Sequence, residues 1–373
     1  QGQIDIEAFS TWLEIDLGAI KNNLKILETI SNKPIMPVVK ANAYGHGLVE
    51  VSRAAVSAGA TWLAVARIEE ALALRKAGIA TRILVLGYTP PRRIEDAIHE
   101  QITLTIYDRE VAQAYNDAAI SERGRIVVHI KIDSGMGRLG LFVEESAAFM
   151  AWLNTLPGLK VEAIFTHFAR ADEPAMATTD EQITRFNHLL CELEKNNLRP
   201  GLVHAANSAA TLNFPAGHFD IVRCGIVFYG LQPSPLTPLP EGFRPALSWK
   251  SHLTSVKILP PGHGVSYNFH YYTKSHERIG VIAAGYADGF RRRTGNIALV
   301  RGKRVPVVGA VCMDQSMLQL DSVPEAQIGD EVVLIGQQGK QSITADQLAA
   351  DWGTINYEVL CGLADRIPRI FFE

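Results

Sequence analysis

The sequence predicts an α/β protein, with a (β/α)8 TIM-like barrel followed by a mostly antiparallel β domain. Eight short runs rich in β-branched residues alternate with amphipathic segments up to about residue 230 of the 373-residue chain. A proline-rich segment at 231–245 then precedes several alternating strands. We expect the barrel in residues 12–235 and the β domain in residues 1–11 and 236–373. A doubly wound sheet is the alternative, but no GxGxxG motif follows the first strand.

The barrel strands are spaced as βα units require. They are expected at residues 36–40, 62–66, 82–87, 102–107, 126–132, 161–167, 202–206 and 221–223. Between them, residues 67–78 and 180–197 carry apolar side chains on one helical face, and we expect Asp180 to cap the second of these helices.

The second half of the chain alternates apolar and polar residues with a period of two, which predicts strands. The "RGKR" segment at 301–304 predicts a hairpin turn between two of them. One helix is expected at 343–353, before the final segment.

Composition excludes several classes of protein. The net charge is −3, from 36 basic and 39 acidic side chains, so we expect no nucleic-acid partner. No apolar stretch reaches the ~20 residues of a membrane helix, so we expect no membrane partner. The first residues lack the pattern of a signal peptide, which favours a cytoplasmic protein. Four cysteines without a CxxC pair suit neither a metal site nor a disulfide framework.

Polar residues cluster at the carboxyl ends of the predicted strands, where barrel enzymes place their chemistry. These residues are Lys40, Lys131, Asp133, Arg138, His167, Asn207, Ser208 and Arg223. The set describes a basic site with one imidazole, which suits an anionic ligand such as a phosphate-bearing cofactor or a sugar phosphate.

The segment "VRCGIVFYG" at 222–230 favours a phosphate ligand. Gly225 lets the backbone approach an anion closely, and the amides of Gly225 and Ile226 could bind a phosphate. Ser208, after the seventh strand, would add a hydroxyl where barrels often bind phosphate.

Lys40 follows a wholly apolar run and precedes the loop "ANAYGHG". A lysine that closes a strand is more often a surface residue, but burial and neighbouring cations lower a lysine pKa from ~10.4. That change suits a Schiff-base nucleophile, and pyridoxal 5'-phosphate is the aldehyde that also carries a phosphate. Plainer interpretations of the neighbouring residues are a core histidine at His167 and an ordinary loop arginine at Arg138.

With these residues assembled, the sequence resembles the alanine racemase family, pyridoxal-phosphate enzymes with a (β/α)8 barrel and a β domain. The resemblance extends from about Trp12 to Phe372. It rests on the motifs "VVKANAYGHG", "KIDSGMGRLG", "FTHFARADE", "HAANSAAT", "VRCGIVFYG", "GYADG", "CMDQ" and "YEVLCGLADRIPR".

The resemblance implies a homodimer that interconverts L- and D-alanine and supplies D-alanine for peptidoglycan. It implies that Lys40 holds the cofactor as an aldimine and acts as one base, and that Tyr267 of the other subunit is the opposing base. The implied cofactor-binding residues are Lys40, Tyr44, Arg138, His167, Asn207, Ser208, Arg223, Gly225, Ile226 and Tyr357.

By the same resemblance, Arg138 and the Met313 amide bind the substrate carboxylate. Lys131 matches a position that is often carbamylated, giving N6-carboxylysine. Arg223 faces the pyridine nitrogen, and a guanidinium that keeps its proton leaves the pyridine neutral, which limits side reactions.

Some residues depart from the family pattern, namely Asn268, Cys224, Arg170 and Ala310. They leave open a serine or broad-specificity racemase, although Tyr357 favours alanine. Asn268 replaces a glycine, and asparagine tolerates the left-handed conformation.

Three different classes of protein compete with a racemase. They are decarboxylases of basic amino acids, single-domain pyridoxal-phosphate carriers and sugar-phosphate isomerases. Arg223 argues against the decarboxylases, because these enzymes set a glutamate against the pyridine nitrogen. The β domain with Tyr267 and Met313 argues against the carriers, which resemble the barrel alone.

Overall fold

The computed structural model describes residues 6–373, which divide into two compact units. The barrel unit comprises residues 19–43 and 48–245. The β unit comprises the described residues up to Gly18, residues 44–47 and residues 246–373. The expected place of residues 1–5 in the β domain lies outside the described part of the chain.

The barrel unit is built on eight parallel strands. Their bounds are Ile35–Pro37, Trp62–Val65, Arg82–Val85, Thr103–Ile106, Ile126–Asp133, Leu159–Phe165, Leu202–His204 and Val222–Cys224. The first strand pairs with the last, and single bridges join Val38 to Ala64 and His204 to Ile221, so the strands form a closed ring. The predicted barrel is confirmed, and a two-residue strand at Leu141–Phe142 also pairs with the fifth strand.

Helices follow most of these strands and bury one face against them. Their bounds are Leu17–Ser31, Leu48–Ser57, Ile68–Lys76, Ile94–His99, Arg109–Ser121, Val143–Leu153, Thr178–Lys195 and Ser208–Asn213. Side-chain caps define some starts, as where Asp108 accepts a hydrogen bond from the Val111 amide at 3.0 Å. The expected cap at Asp180 is wrong, because that helix begins at Thr178 and Asp180 lies in its first turn.

The β unit contains a nine-stranded, mostly antiparallel sheet, as predicted. In spatial order its strands are Gln341–Ile343, Glu331–Gln338, Ile297–Val300, Lys303–Val308, Ser316–Gln319, Glu277–Ile282, Leu247–Leu259, Thr11–Asp16 and Arg369–Phe372. A separate hairpin joins Gly264–Val265 to Tyr271–Tyr272, and two helices span Ala345–Trp352 and Asn356–Cys361.

The unit boundaries differ from the expected division at the start of the chain. The strand Thr11–Asp16 pairs with Leu247–Leu259 and Arg369–Phe372, so residues 12–18 belong to the β unit although the sequence pattern placed them in the barrel. Residues 44–47 also group with the β unit. Alternation of apolar residues predicts a strand but does not identify its partner.

Local turn chemistry explains other elements of the β unit. Arg301 and Gly302 both have positive φ, 49° and 74°, as a two-residue hairpin turn requires, so the turn predicted at "RGKR" is confirmed. Thr344 caps the helix Ala345–Trp352 by accepting from the Gln347 amide at 3.1 Å. Across residues 6–373, no helix has both the length and the apolar character to cross a membrane.

Candidate active site

Lys40 lies where the first barrel strand leaves the sheet. The sequence predicts that this strand ends at Lys40, but it ends at Pro37. The amides of Val38 and Val39 still donate hydrogen bonds to neighbouring carbonyls at 2.8 Å. The apolar run therefore stays bound to its neighbours up to the lysine. Lys40 is half-buried, at the carboxyl end of its strand.

The four residues after Lys40 form a left-handed turn. Residues 41–44 have φ values of 52–53°, a conformation that costs roughly 1–2 kcal/mol for each residue with a Cβ atom. The hydrogen bonds that hold the turn include one from the Ala41 amide to Glu70 at 2.6 Å and one from the Leu48 amide to the Asn42 side chain at 2.8 Å. Strain of this kind concentrates at functional sites, because the surrounding structure has to maintain it.

Arg223 is a buried cation, with 3% of its surface exposed. Its guanidinium donates to Nδ1 of His204 at 2.7 Å and to the carbonyls of Thr166 and Ala205 at 2.8 and 2.9 Å. It also donates to Nδ1 of His167 at 3.2 Å. These contacts use the two terminal nitrogens. Within the described structure Nε–H makes no hydrogen bond, so it is available to an acceptor on a ligand.

Positive charge accumulates around His167 in the barrel unit. Burial, Arg223, Lys131, Arg138 and Lys40 together hold the pKa of His167 well below its usual value, so the imidazole is neutral at pH 7. Burial, Arg223 and Arg138 likewise hold the pKa of Lys131 well below its usual value. Burial lowers the pKa of Arg223 to about 9, so the guanidinium remains charged. Lys40, Lys131, Arg138 and Arg223 therefore make the surroundings of His167 electropositive.

A glycine-rich loop presents Arg138. The Asp133 carboxylate accepts hydrogen bonds from the amides of Gly135, Met136 and Gly137 at 2.7–3.1 Å. These bonds lower the pKa of Asp133 although burial opposes them. Asp133 therefore shapes the loop, and the exposed Arg138 makes no hydrogen bond to another described residue.

Ser208 and Gly225 meet where a phosphate was expected. The buried Ser208 hydroxyl accepts hydrogen bonds from the amides of Gly225 at 2.9 Å and Val227 at 3.5 Å. Its own proton has no acceptor in the described part of the protein. The Ile226 amide opens a short 3-10 turn, so it has no partner within that turn. Asn207 caps the following helix, accepting from the Ala210 amide at 3.0 Å.

Tyr44 and Tyr357 lie together in the β unit, with ring centroids 6.1 Å apart. Burial, Tyr357 and Cys361 raise the pKa of Tyr44 above its usual value. Tyr44 therefore keeps its proton at neutral pH and can act as a hydrogen-bond donor.

Tyr267 stands on a second strained turn, also in the β unit. Ser266 and Asn268, on either side of it, have φ values of 64° and 60°, so Asn268 adopts the left-handed conformation expected from the sequence. The Ser266 hydroxyl contacts Sγ of Cys312 at 3.3 Å, which links the tyrosine turn to the segment containing Met313. Tyr267 and Met313 are 68% and 52% exposed.

Three groups behind Arg223 were not predicted from the sequence, namely His129, His204 and Glu162. His129 and His204 are fully buried, and His129 Nδ1 lies 3.0 Å from His204 Nε2. Burial lowers the pKa of both histidines. We call His129, His167 and His204 the barrel histidines. The available signal was an imidazole inside the apolar strand runs "IVVHIKI" and "LVHAA".

The donors in the barrel unit fit the cofactor expected from the sequence. Within residues 6–373, the Ser208 hydroxyl and Arg223 Nε are donors without acceptors, and Arg138 forms no ion pair. Hydrogen-bond donors of this kind suit an anionic ligand that has acceptor atoms both on a ring and on a phosphate group. Lys40 adds a primary amine for an aldehyde.

Comparisons with known proteins point to one family. The alanine racemase N-terminal domain model matches residues 15–233, and the C-terminal domain model matches residues 246–371. An alanine racemase of Desulfovibrio desulfuricans is 43% identical over 97% of this chain and 98% of its own length. One from Symbiobacterium thermophilum is 45% identical over 97% of both chains. The crystal structure of alanine racemase from Bacillus anthracis with bound L-Ala-P is 43% identical, with a TM-score of 0.92 over 98% of this chain and 95% of that chain.

Proposed function

The chain belongs to the alanine racemase family and is a pyridoxal-phosphate-dependent isomerase that interconverts L- and D-alanine, and we propose that Lys40 and Tyr267 are its two bases. The similar proteins do not favour a serine or broad-specificity racemase. The observation that carries the site proposal is the electropositive cluster around His167, with Lys40 among its cations.

Racemisation requires that a proton leave one face of the substrate Cα and return on the other. When bound, pyridoxal phosphate withdraws electrons from the Cα–H bond. From L-alanine, Tyr267 Oη takes the α-proton and Lys40 Nζ donates a proton to the opposite face of Cα; from D-alanine, the two residues exchange these roles. Arg138 and the Met313 amide hold the carboxylate, so only the proton changes faces.

The remaining residues position the cofactor in this proposal. The phosphate would be held by the Ser208 hydroxyl, the amides of Gly225 and Ile226, and the phenols of Tyr44 and Tyr357. In the described structure the Gly225 amide is already bound to Ser208, so its contribution is shared with that hydroxyl. Asn207 acts through the helix that it caps.

Arg223 and His167 support the ring of the cofactor. Arg223 keeps its proton at neutral pH, so it would donate a hydrogen bond to the ring nitrogen without transferring the proton. His167 accepts from Arg223 through Nδ1, which leaves its Nε2–H as a donor.

The two bases are tested by exchange of the alanine α-hydrogen in deuterium oxide. Tyr267→Phe should abolish exchange of L-alanine and retain exchange of D-alanine. Tyr272→Phe is the matched control, because Tyr272 is also exposed and lies on a strand of the hairpin whose connecting loop contains Tyr267. L-alanine exchange at the normal rate in Tyr267→Phe would show that another group is the base.

We also propose that each site uses Lys40 of one subunit and Tyr267 of its partner. Exposed apolar side chains near Tyr267, including Phe269 and Tyr272, support a covered surface there. Re-assembly of mixed Lys40→Ala and Tyr267→Phe chains should restore about a quarter of the normal activity, because half of the random dimers contain one intact site. Mixing would restore nothing if both bases came from one chain.

Lys131 is the proposed site of carbamylation. Its lowered pKa raises the fraction of neutral amine, which can add carbon dioxide and release a proton, and the carbamate formed would pair with Arg138. Labelled bicarbonate should give a carbamate carbon signal that is absent from Lys131→Ala. Equal signals from the two proteins would exclude the modification.

The enzyme is further proposed to work in the cytoplasm and to supply D-alanine for peptidoglycan. The four free thiols suit a reducing compartment.

A further inference from the structure

The burial of Arg223 is only partly explained by its nearest contacts. Those contacts are carbonyls and imidazoles, and no carboxylate forms an ion pair with Arg223 in the described chain. A buried cation without a counter-ion is costly, so a compensating charge at longer range would stabilise it.

A continuous chain of hydrogen bonds leads from Arg223 to such a charge. Arg223 contacts Nδ1 of His204 at 2.7 Å, and Nε2 of His204 contacts Nδ1 of His129 at 3.0 Å. Nε2 of His129 then contacts Oε2 of Glu162 at 3.2 Å. Glu162 is ion-paired with Arg82, whose guanidinium also lies 4.0 Å from the centre of the Trp62 ring.

The chain can run in one direction only. A guanidinium has donors and no acceptor, so Nδ1 of His204 must accept and its Nε2 must carry the proton. Nδ1 of His129 must then accept, and its Nε2–H donates to Glu162. Both imidazoles are therefore in the tautomer protonated at Nε2. The chain ends at the Glu162 carboxylate, which accepts a hydrogen bond and donates none.

The fold places the two ends of this chain at opposite ends of the barrel. Arg82 is the first residue of its strand, whereas Arg223 shares the carboxyl-end site with Lys40. Glu162 occupies a bulge, because Val161 and Ala163 pair with the consecutive residues Val128 and His129. A bulge re-aims a side chain, which here brings Glu162 to His129.

We propose that Glu162 is a positioning residue for the reaction, acting through His129 and His204 to fix the orientation and compensate the charge of Arg223. The inference rests on the proposed role of Arg223 beside the cofactor ring. Glu162 itself contacts neither cofactor nor substrate. Its effect falls on the step in which charge develops, and not on alanine binding.

The first test reads the two imidazoles directly. In the full-length protein with selectively labelled histidine, two-bond proton–nitrogen spectra at pH 7 should show His129 and His204 neutral and protonated at Nε2. Protonation of either ring at Nδ1, or on both nitrogens, would overturn the proposal. These signals do not depend on turnover, so an error in the assignment of the catalytic bases would leave them unchanged.

The second test removes the charge and keeps the shape. Glu162→Gln should lower kcat about tenfold with the KM for alanine within about twofold, and Glu162→Ala, which also removes the acceptor, should lower kcat further. Glu194→Gln, which breaks the exposed ion pair with Arg199, is the matched control and should leave both constants unchanged. Wild-type kcat in Glu162→Gln and Glu162→Ala would refute the proposal, and so would equal losses of kcat in Glu162→Gln and Glu194→Gln.

Discussion

Replacement of Ser208 by alanine isolates one contact of the proposed phosphate site. The Ser208 hydroxyl is buried and accepts the Gly225 amide at 2.9 Å, with a weaker contact to Val227 at 3.5 Å. In Ser208→Ala the Gly225 amide loses its acceptor inside the barrel unit. A buried donor left without a partner costs about 1–3 kcal/mol in the free energy of unfolding.

Ser52 provides a matched control. It is also a fully buried serine of the barrel unit, but its hydroxyl has no hydrogen-bond partner within the described structure. Ser52→Ala removes a polar group that is already unsatisfied, so the free energy of unfolding should stay the same or rise slightly. The two variants delete the same atom, and the expected difference of about 1–3 kcal/mol comes from the hydrogen bonds of Ser208.

The assay is urea unfolding of both variants without added cofactor, at one protein concentration. A second readout is cofactor affinity, which should fall roughly 10- to 100-fold in Ser208→Ala, because the hydroxyl would donate to a charged phosphate. Ser52→Ala should bind the cofactor normally. Equal unfolding free energies in the two variants would refute the reasoning about Gly225, and unchanged cofactor affinity in Ser208→Ala would remove Ser208 from the phosphate site.

Three further predictions concern the loop, the tyrosine turn and pH. Asp133→Asn should raise the KM for alanine several-fold by loosening the loop that carries Arg138. Because the pKa of Asp133 is lowered in the folded protein, the variant should also have a smaller free energy of unfolding than the wild type at pH 7, and this difference should disappear as the pH falls below about 4. Gly309→Ala should lower kcat strongly, since a Cβ atom there would lie 2.6 Å from the Val265 carbonyl, beside the turn that contains Tyr267. Gly353 has nearly the same φ but open space around it, so Gly353→Ala should not lower kcat; equal kcat values in the two variants would contradict this. The barrel histidines have pKa values below that of a histidine in the unfolded chain, so the free energy of unfolding should fall as the pH drops below about 6.5, by up to about 1.4 kcal/mol per pH unit for each histidine. A free energy of unfolding that stays constant between pH 6.5 and 5 would show that these histidines are charged in the folded state.

The sequence was sufficient to predict the barrel because its strands are buried apolar runs separated by helical patterns. Several of these runs end in a polar residue, which is why the cluster of Lys40, Arg138, His167 and Arg223 could be anticipated. The hairpin at Arg301 and Gly302 was predictable for a different reason, since short turns depend on local backbone preferences.

Other features depend on tertiary contacts and could not be read from the sequence. Nothing in alanine or tyrosine favours the left-handed turn at residues 41–44, which Glu70 and other groups distant in sequence maintain. Thr11–Asp16 alternates like any strand, and only its partners assign it to the β unit. The roles of Glu162 and His129 could not be predicted, because a single polar residue within a strand does not indicate which residues it contacts across the barrel.

The proposed chemistry depends above all on the amine of Lys40 as the group that holds the cofactor. Borohydride reduction of the purified protein, followed by peptide mapping, examines this attachment without an activity assay. We expect the pyridoxyl group on the peptide containing Lys40, and we expect no label at that position in Lys40→Ala. A label on Lys131 or on any other lysine, or no label on a protein that still racemises alanine, would show that Lys40 does not hold the cofactor.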